Sequence, residues 1–237
     1  MTKLSVNINK VALIRNSRGD DFPNLKRVAM DCEEFGAEGI TVHPRPDERH
    51  IRYADIPILK DCVQTEFNIE GYPSEKFLKL VCDNRPHQCT LVPDPPGVLT
   101  SDSGWDTIEH KDFLTEVIKR LKDHGVRVSL FLNAEHDQVH GAKAVETDRI
   151  EFYTGNYAKH YFINKEAAVK THVECSELGN KLGLGINAGH DLNLDNLNYY
   201  KNALPYLAEV SIGHALISDA LYVGLKNSIQ LYLSKLK

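Results

Sequence analysis

Short runs rich in β-branched and apolar residues alternate with amphipathic helical stretches along the whole chain, and few folds accept that order. The strand-like runs are Leu4–Ile8, Gly39–His43, Phe67–Glu70, Gln88–Val92, Val126–Leu132, Arg149–Tyr153, Gly183–Asn187 and Glu209–Ile212. Helical stretches lie between them. Asn24–Phe35 carries Val28, Ala29, Cys32 and Phe35 on one face and stops at Gly36. Helices also read at Ala54–Val63, at Asp112–His124, at Glu135–Val145 and from a Ser74 cap to Cys82. Further ones read at Lys165–Lys181, Asn196–Ala203 and Ser218–Lys235. The segment after the first strand and the Pro- and Gly-rich stretch Pro93–Gly104 read as loops. Eight such units in 237 residues predict an α/β chain closed into a single (β/α)8, or TIM, barrel spanning residues 1–237. A doubly wound sheet is the rival, and it would favour a Gly-rich dinucleotide fingerprint after the first strand, which is missing.

Composition narrows the partners. The formal net charge is −5, so phosphate must be bound by local groups, and a nucleic acid is not an expected partner. No apolar run is long enough to span a bilayer, and Met1–Ile8 lacks the apolar region of a signal peptide. The cysteine count is 5, with no CxxC pair, which points to a reducing compartment and a cytoplasmic protein.

Polar residues gather at the strand ends. His43 ends the second run, Glu70 the third, Asn187-Ala188-Gly189-His190 the seventh and Ser211-Ile212-Gly213-His214 the eighth; Glu151 lies in the sixth, which Thr154-Gly155 closes. In a closed parallel barrel these ends converge on one face, where active sites of this fold sit. A lone histidine or glutamate there is readily structural, and Glu70 or Glu151 could brace a neighbouring arginine inside the barrel. Such residues at the ends of several strands are harder to explain by stability. His110, His124, His136, His140 and His172 read as ordinary surface residues. Arg45 and His50 lie beside His43, and an arginine fork matches phosphate oxygens; Arg49 reads as part of a solvated turn. Arg15-Asn16-Ser17-Arg18-Gly19 reads as a flexible anion-binding segment. The small residues after the seventh and eighth strands suit backbone binding of phosphate, helped by the helix that follows.

Taken in order, several segments resemble the pyridoxine 5'-phosphate synthase family. They are Ser5–Asn9, Arg15–Gly19, Gly39–His43 with Arg45 and His50, Glu70, Glu151 with Tyr153–Gly155, Asn187–His190 and Ile212–Ala215. The resemblance covers essentially the whole chain. It implies a transferase that condenses 3-amino-2-oxopropyl phosphate with 1-deoxy-D-xylulose 5-phosphate. The products are pyridoxine 5'-phosphate, inorganic phosphate and water. It further implies a barrel with additional helices, a homooctamer, and no metal or organic cofactor. By the same resemblance His43 and Glu70 are proton acceptors, His190 is the proton donor and Glu151 stabilises the transition state. Asn7, Arg18, Gly213 and His214 contact the amino-ketone phosphate. Arg45, His50 and Thr100 contact the sugar phosphate, at a subsite that includes Asn9 and Lys10. Two positions depart from the family pattern. Many members carry Asp-His where this chain has Asn9-Lys10, and Gly where it has Asp191. A carboxylate at position 191 would repel phosphate unless its side chain points away.

A metal-dependent hydrolase, a sugar-phosphate isomerase and a non-catalytic sugar-phosphate binder share parts of this pattern. The first run lacks the His-x-His pair of the hydrolases, an isomerase needs only one acid–base pair, and a binder does not need so many ionisable groups.

Overall fold

A computed structural model describes residues 1–94 and 103–237. The first half of the barrel comprises β1 (Lys3–Asn7), α1 (Asn9–Asn16), α2 (Leu25–Glu34), β2 (Gly39–Val42), α3 (Asp55–Cys62), β3 (Glu66–Gly71), α4 (Glu75–Asn84) and β4 (Gln88–Leu91). The second half comprises α5 (Lys111–Asp123), β5 (Arg127–Leu132), α6 (His136–Ala144), β6 (Arg149–Tyr153), α7 (Gly155–Lys181), β7 (Gly185–Gly189), α8 (Leu197–Ala203), β8 (Leu207–Ile212), α9 (His214–Val223) and α10 (Leu225–Lys235). The strands pair in parallel and in sequence order, and β8 closes on β1 through Lys3↔Glu209 to Val6↔Ile212. The closed (β/α)8 barrel read from the sequence is therefore the fold.

Strand side chains alternate between two environments. Leu4, Val6, Ile40, Val42, Phe67, Ile69, Val128, Leu130, Ile150, Phe152, Val210 and Ile212 are all buried in one apolar core. The alternate positions carry Ser5, Thr41, Asn68, Gln88, Thr90, Ser129, Glu151, Asn187 and Glu209, which are buried too. Contacts between non-adjacent strands, such as Thr90 on β4 with Glu151 on β6, show that this polar set faces the lumen. Most barrels of this class fill their interior with Val, Ile and Leu. Here the apolar set packs outward on the helices, and the lumen is hydrogen-bonded.

Several elements differ from the sequence reading. Asn9–Asn16 is helical, with Val11, Ala12 and Arg15 buried. Arg15 donates from Nη1 and Nη2 to the two oxygens of Asp55, at 2.7 and 2.9 Å, and from Nη2 to the His50 carbonyl. Asn16 Nδ2 donates to the same carbonyl at 2.7 Å. These donors hold the loop after β2. Helix α7 starts at Gly155, ten residues before the helix read from the sequence. Asn164 interrupts it with φ −157°, and its Oδ1 accepts from Ala167 N at 2.9 Å, capping the second segment. Strand β7 runs from Gly185 to Gly189, and Gly183, at φ +78°, still belongs to the turn after α7. Gly224, at φ +81°, divides the last helix into α9 and α10. His172 is buried, contrary to its surface reading: its Nδ1 lies 2.9 Å from Tyr200 Oη, and its ring packs on Phe152. Among the described residues no helix is long and apolar enough to cross a membrane.

Candidate active site

The site is built in layers along the lumen. At its floor Arg127 on β5 donates to Glu66 on β3 and from Nε to Gln88 Oε1 at 3.0 Å. Arg149 Nη1 donates to Asn187 Oδ1 at 3.0 Å, and Asn187 Nδ2 lies 3.4 Å from Glu209 Oε1. Burial, then the charge of Glu66, pushes the Glu209 carboxyl up to about 8. Below Glu70 and Glu151, the Glu66–Arg127 pair ties β3 to β5.

Glu151 and Glu70 lie above the floor. Thr90 Oγ1 is 3.4 Å from Glu151 Oε2, and Asn7 Nδ2 is 3.4 Å from Glu70 Oε2. Burial, reinforced by Asp94, pushes the Glu70 carboxyl up to about 8. Burial and the neighbouring Glu70 push Glu151 well above the usual carboxylate range. Two like charges in a water-poor lumen cannot both ionise freely, so protons stay on this pair at neutral pH. A Cβ on Gly189 would stand 2.2 Å from Glu151 Oε1, so only glycine fits beside that carboxyl. Gly189→Ala is expected to destabilise the fold by about 1–3 kcal/mol through overpacking. Chemical denaturation measures it, and an unchanged midpoint would mean that the Glu151 side chain is free to swing aside.

Two histidines stand at the rim. His43 follows β2, is buried, and its backbone N–H donates to Asn9 Oδ1 at 2.9 Å. Burial, then the charges of Arg45 and His50, holds its ring well below the ordinary histidine value, so it is neutral and able to take a proton. Its ring centroid is 6.2 Å from that of His50, which burial and Arg45 lower to about 4. His190 follows β7 at φ +74° and packs on Tyr153 with 5.3 Å between ring centroids. Its Nδ1 lies 2.8 Å from Asp191 Oδ2, and that contact lowers the Asp191 carboxyl below its usual value. The Asp191 side chain is thus engaged with the histidine ring, which it orients. Thr154 Oγ1 donates to the Gly189 carbonyl at 2.8 Å and also contacts the His190 carbonyl, fixing this turn.

The remaining sequence-predicted residues fall into three groups. Asn7, Asn9, Gly213 and His214 join the mouth. Asn7 Oδ1 accepts from Asn9 N at 3.0 Å, a Cβ on Gly213 would meet Asn7 at 3.0 Å, and His214 opens α9 with its charge felt at Asp191. Lys10 and Arg45 act on His50, and Arg45 Nη2 donates to Asp94 Oδ2 at 2.9 Å. Arg18 is exposed beyond α1. Thr100 and most of the Pro93–Gly104 stretch lie outside the described residues. Sequence reasoning missed Asp94, Thr90 and Asn68. The signal for the last two was present, as polar residues at every second position of otherwise apolar strands. Among the described residues no three His, Cys, Asp or Glu side chains group so as to hold a metal ion.

A parallel barrel with proton-holding carboxyls and a neutral histidine at its C-terminal mouth is the architecture of a (β/α)8-barrel enzyme. More particularly, the chain belongs to the family of the pyridoxal phosphate biosynthesis protein PdxJ, whose family model matches residues 4–237. The pyridoxine 5'-phosphate synthase of Cytophaga hutchinsonii is 59% identical over 237 residues, covering 100% of both chains. That of Bacteroides thetaiotaomicron is 58% identical over 232 residues, covering 98% of each. Among solved structures, tryptophan synthase from M. tuberculosis superposes with a TM-score of 0.66 at 9% identity, over 100% of this chain and 94% of that one. Phosphoribosylanthranilate isomerase from Thermotoga maritima gives 0.61 at 12%, over 100% and 98%. These two share the fold.

Proposed function

We propose that this chain is a pyridoxine 5'-phosphate synthase that joins 3-amino-2-oxopropyl phosphate to 1-deoxy-D-xylulose 5-phosphate by general acid–base catalysis. The observation that carries the reading is the opposed setting of the ionisable groups around one mouth. His43 is held neutral, Glu70 and Glu151 retain protons, and His190 is engaged by Asp191. Amine attack on the ketone gives a carbinolamine, whose loss of water needs a proton donor, the role this reading gives to His190. Carbon deprotonation to an enamine needs a base, which His43 and the ionised form of Glu70 supply. Elimination of phosphate, addition of water and ring closure again move protons, and a carboxyl titrating near 8 serves in both directions. Glu151, neutral beneath them, stabilises charge that develops in the transition state.

The phosphates go to separate places. The amino-ketone phosphate meets the backbone N–H groups at the start of α9, beside Asn7, Gly213 and His214. The sugar phosphate meets Lys10, Arg45 and His50, with Asn9 and Thr100. Asp191 contributes through its backbone, since its carboxylate is turned to His190. The protein acts as a homooctamer in the cytoplasm, an assembly that exposed Leu13 and Ile14 on α1, Phe162 and Ile163 on α7, and Leu221 and Tyr222 on α9 would serve. Turnover with the two substrates together is the decisive test, and release of phosphate without pyridoxine 5'-phosphate would overturn the reading. In the ligand-free enzyme, addition of the amino-ketone phosphate is expected to shift the amide NMR signals of Gly213, His214 and Ala215. Shifts confined to another part of the barrel would displace the phosphate site.

A further inference from the structure

Strands β1 and β2 part at the mouth, and one side chain takes over where their ladder ends. Ile8 N–H donates to the Thr41 carbonyl at 3.2 Å, so a regular parallel ladder would next join His43 N–H to the Ile8 carbonyl. That carbonyl is already turned into α1, where it accepts from Ala12 N at 3.2 Å. His43 N–H donates instead to Asn9 Oδ1 at 2.9 Å. An asparagine at a helix start ordinarily caps its own helix. Asn9 is the first residue of α1, which has no side-chain cap, and its oxygen serves the neighbouring strand. The backbone of the same residue reaches toward Glu70. Asn9 N–H donates to Asn7 Oδ1 at 3.0 Å. A backbone N–H only donates, so it fixes which end of the Asn7 amide is oxygen, and Nδ2 donates to Glu70 Oε2 at 3.4 Å. Asn9 is fixed in the same way, with Oδ1 facing His43. Gly213, ahead of α9, leaves room for Asn7, since a Cβ there would meet Asn7 Cβ at 3.0 Å and Oδ1 at 3.1 Å.

We infer that Asn9 is a positioning residue for both proton acceptors: its side chain fixes the backbone of His43, and its N–H orients the Asn7 amide that holds Glu70. One residue at the end of β1 thus sets the spacing of a group after β2 and a group on β3. Its Oδ1 is taken by His43, so contact with the sugar phosphate falls to Nδ2, which only donates. The use of His43 and Glu70 in proton transfer rests on the functional reading above; the bonds themselves do not.

Replacing Asn9 with Leu keeps the bulk and removes the acceptor. We expect kcat to fall about tenfold or more, because a small displacement of a reacting group is felt strongly in the rate. KM for the amino-ketone phosphate, whose proposed site lies at α9, should stay near its original value. Asn9→Asp keeps an oxygen facing His43 N–H and should return kcat, read on the plateau of the pH profile, to near that of wild type. A residue that merely starts α1 would lower the melting temperature in Asn9→Leu and leave kcat per folded molecule unchanged. That result would overturn the inference, as would an equal loss in Asn9→Asp. Amide NMR gives readings without turnover, and without the leucine variant if it fails to fold. The His43 amide proton should move downfield in Asn9→Asp, because a charged acceptor makes the bond shorter. The Asn7 side-chain N–H signals should follow the ionisation of Glu70 in wild type and stay still with pH in Glu70→Gln. No shift at His43, or Asn7 signals indifferent to pH in wild type, would each overturn the inference. Wild type that does not join the two substrates would overturn the functional reading instead, and the amide signals tell the two failures apart.

Discussion

Replacing Glu70 with Gln is expected to lower turnover by roughly 10²-fold or more, because a positioned general base or acid typically contributes at least that much. The change keeps the side chain's size and its contact with Asn7, which sits 3.4 Å from Glu70 Oε2, but removes the transferable proton. Binding of either phosphate should change little, since the sites proposed for them lie on other loops. Stability separates this reading from a purely bracing role. Burial and Asp94 raise the native Glu70 carboxyl to about 8, above its value in the unfolded chain. Between the ordinary carboxylate range and about 8 the native state therefore binds more protons, and wild-type stability falls as pH rises through that window. Gln has no ionised form, so the melting temperature of Glu70→Gln should gain on wild type as the pH is raised. A variant less stable than wild type at pH 8, with normal turnover per folded molecule, would mean that Glu70 only braces the barrel. Rate and melting curve measured on one preparation decide it.

His190→Asn is expected to slow turnover by a similar factor at a different step. The imidazole is placed by three contacts, namely the Tyr153 ring at 5.3 Å between centroids, Asp191 Oδ2 at 2.8 Å from Nδ1, and Thr154 on the His190 carbonyl. Asparagine fits the turn, since it tolerates the positive φ of 74° found here. The loss should therefore be chemical rather than conformational. If His190 donates the proton that releases water from the carbinolamine, this variant stalls before the enamine, whereas Glu70→Gln stalls at carbon deprotonation. Rapid quenching followed by mass analysis should find different species bound to the two enzymes. The same species on both would assign one shared step to the pair and remove the division of labour. Asp191→Asn should fall between His190→Asn and wild type, because it disturbs the orientation of the ring and leaves the ring itself.

The sequence by itself determined the fold class and the ends of the strands on which the site stands. Alternation of apolar runs with amphipathic helices is a local property, repeated along the chain, and burial of both patterns at once admits few architectures. It also determined which residues lie at the mouth. His43, Glu70, His190 and His214 each sit at or just past a strand's C-terminal end, and a parallel barrel puts those ends on one face. The early helix α1 escaped because its apolar residues Val11–Ile14 form one unbroken run with no helical period, and the partner of its Arg15, Asp55, lies far along the chain. Gly224 lies within an otherwise continuous helical pattern, which hid the break between α9 and α10.

Only the tertiary structure decided the chemistry of each group. No spacing in the sequence says that Asp94 would lie beside Arg45 and Glu70, or that the Asp191 carboxylate would turn to His190. A histidine in sequence is a group that titrates near neutrality. His43 becomes a neutral base through burial and the nearby cations, while His172, with the same side chain, becomes a core residue against Tyr200. Protonation depends on desolvation and on charges within a few ångströms, and those are set by which strands meet across the lumen, a relation between residues that are distant in the chain.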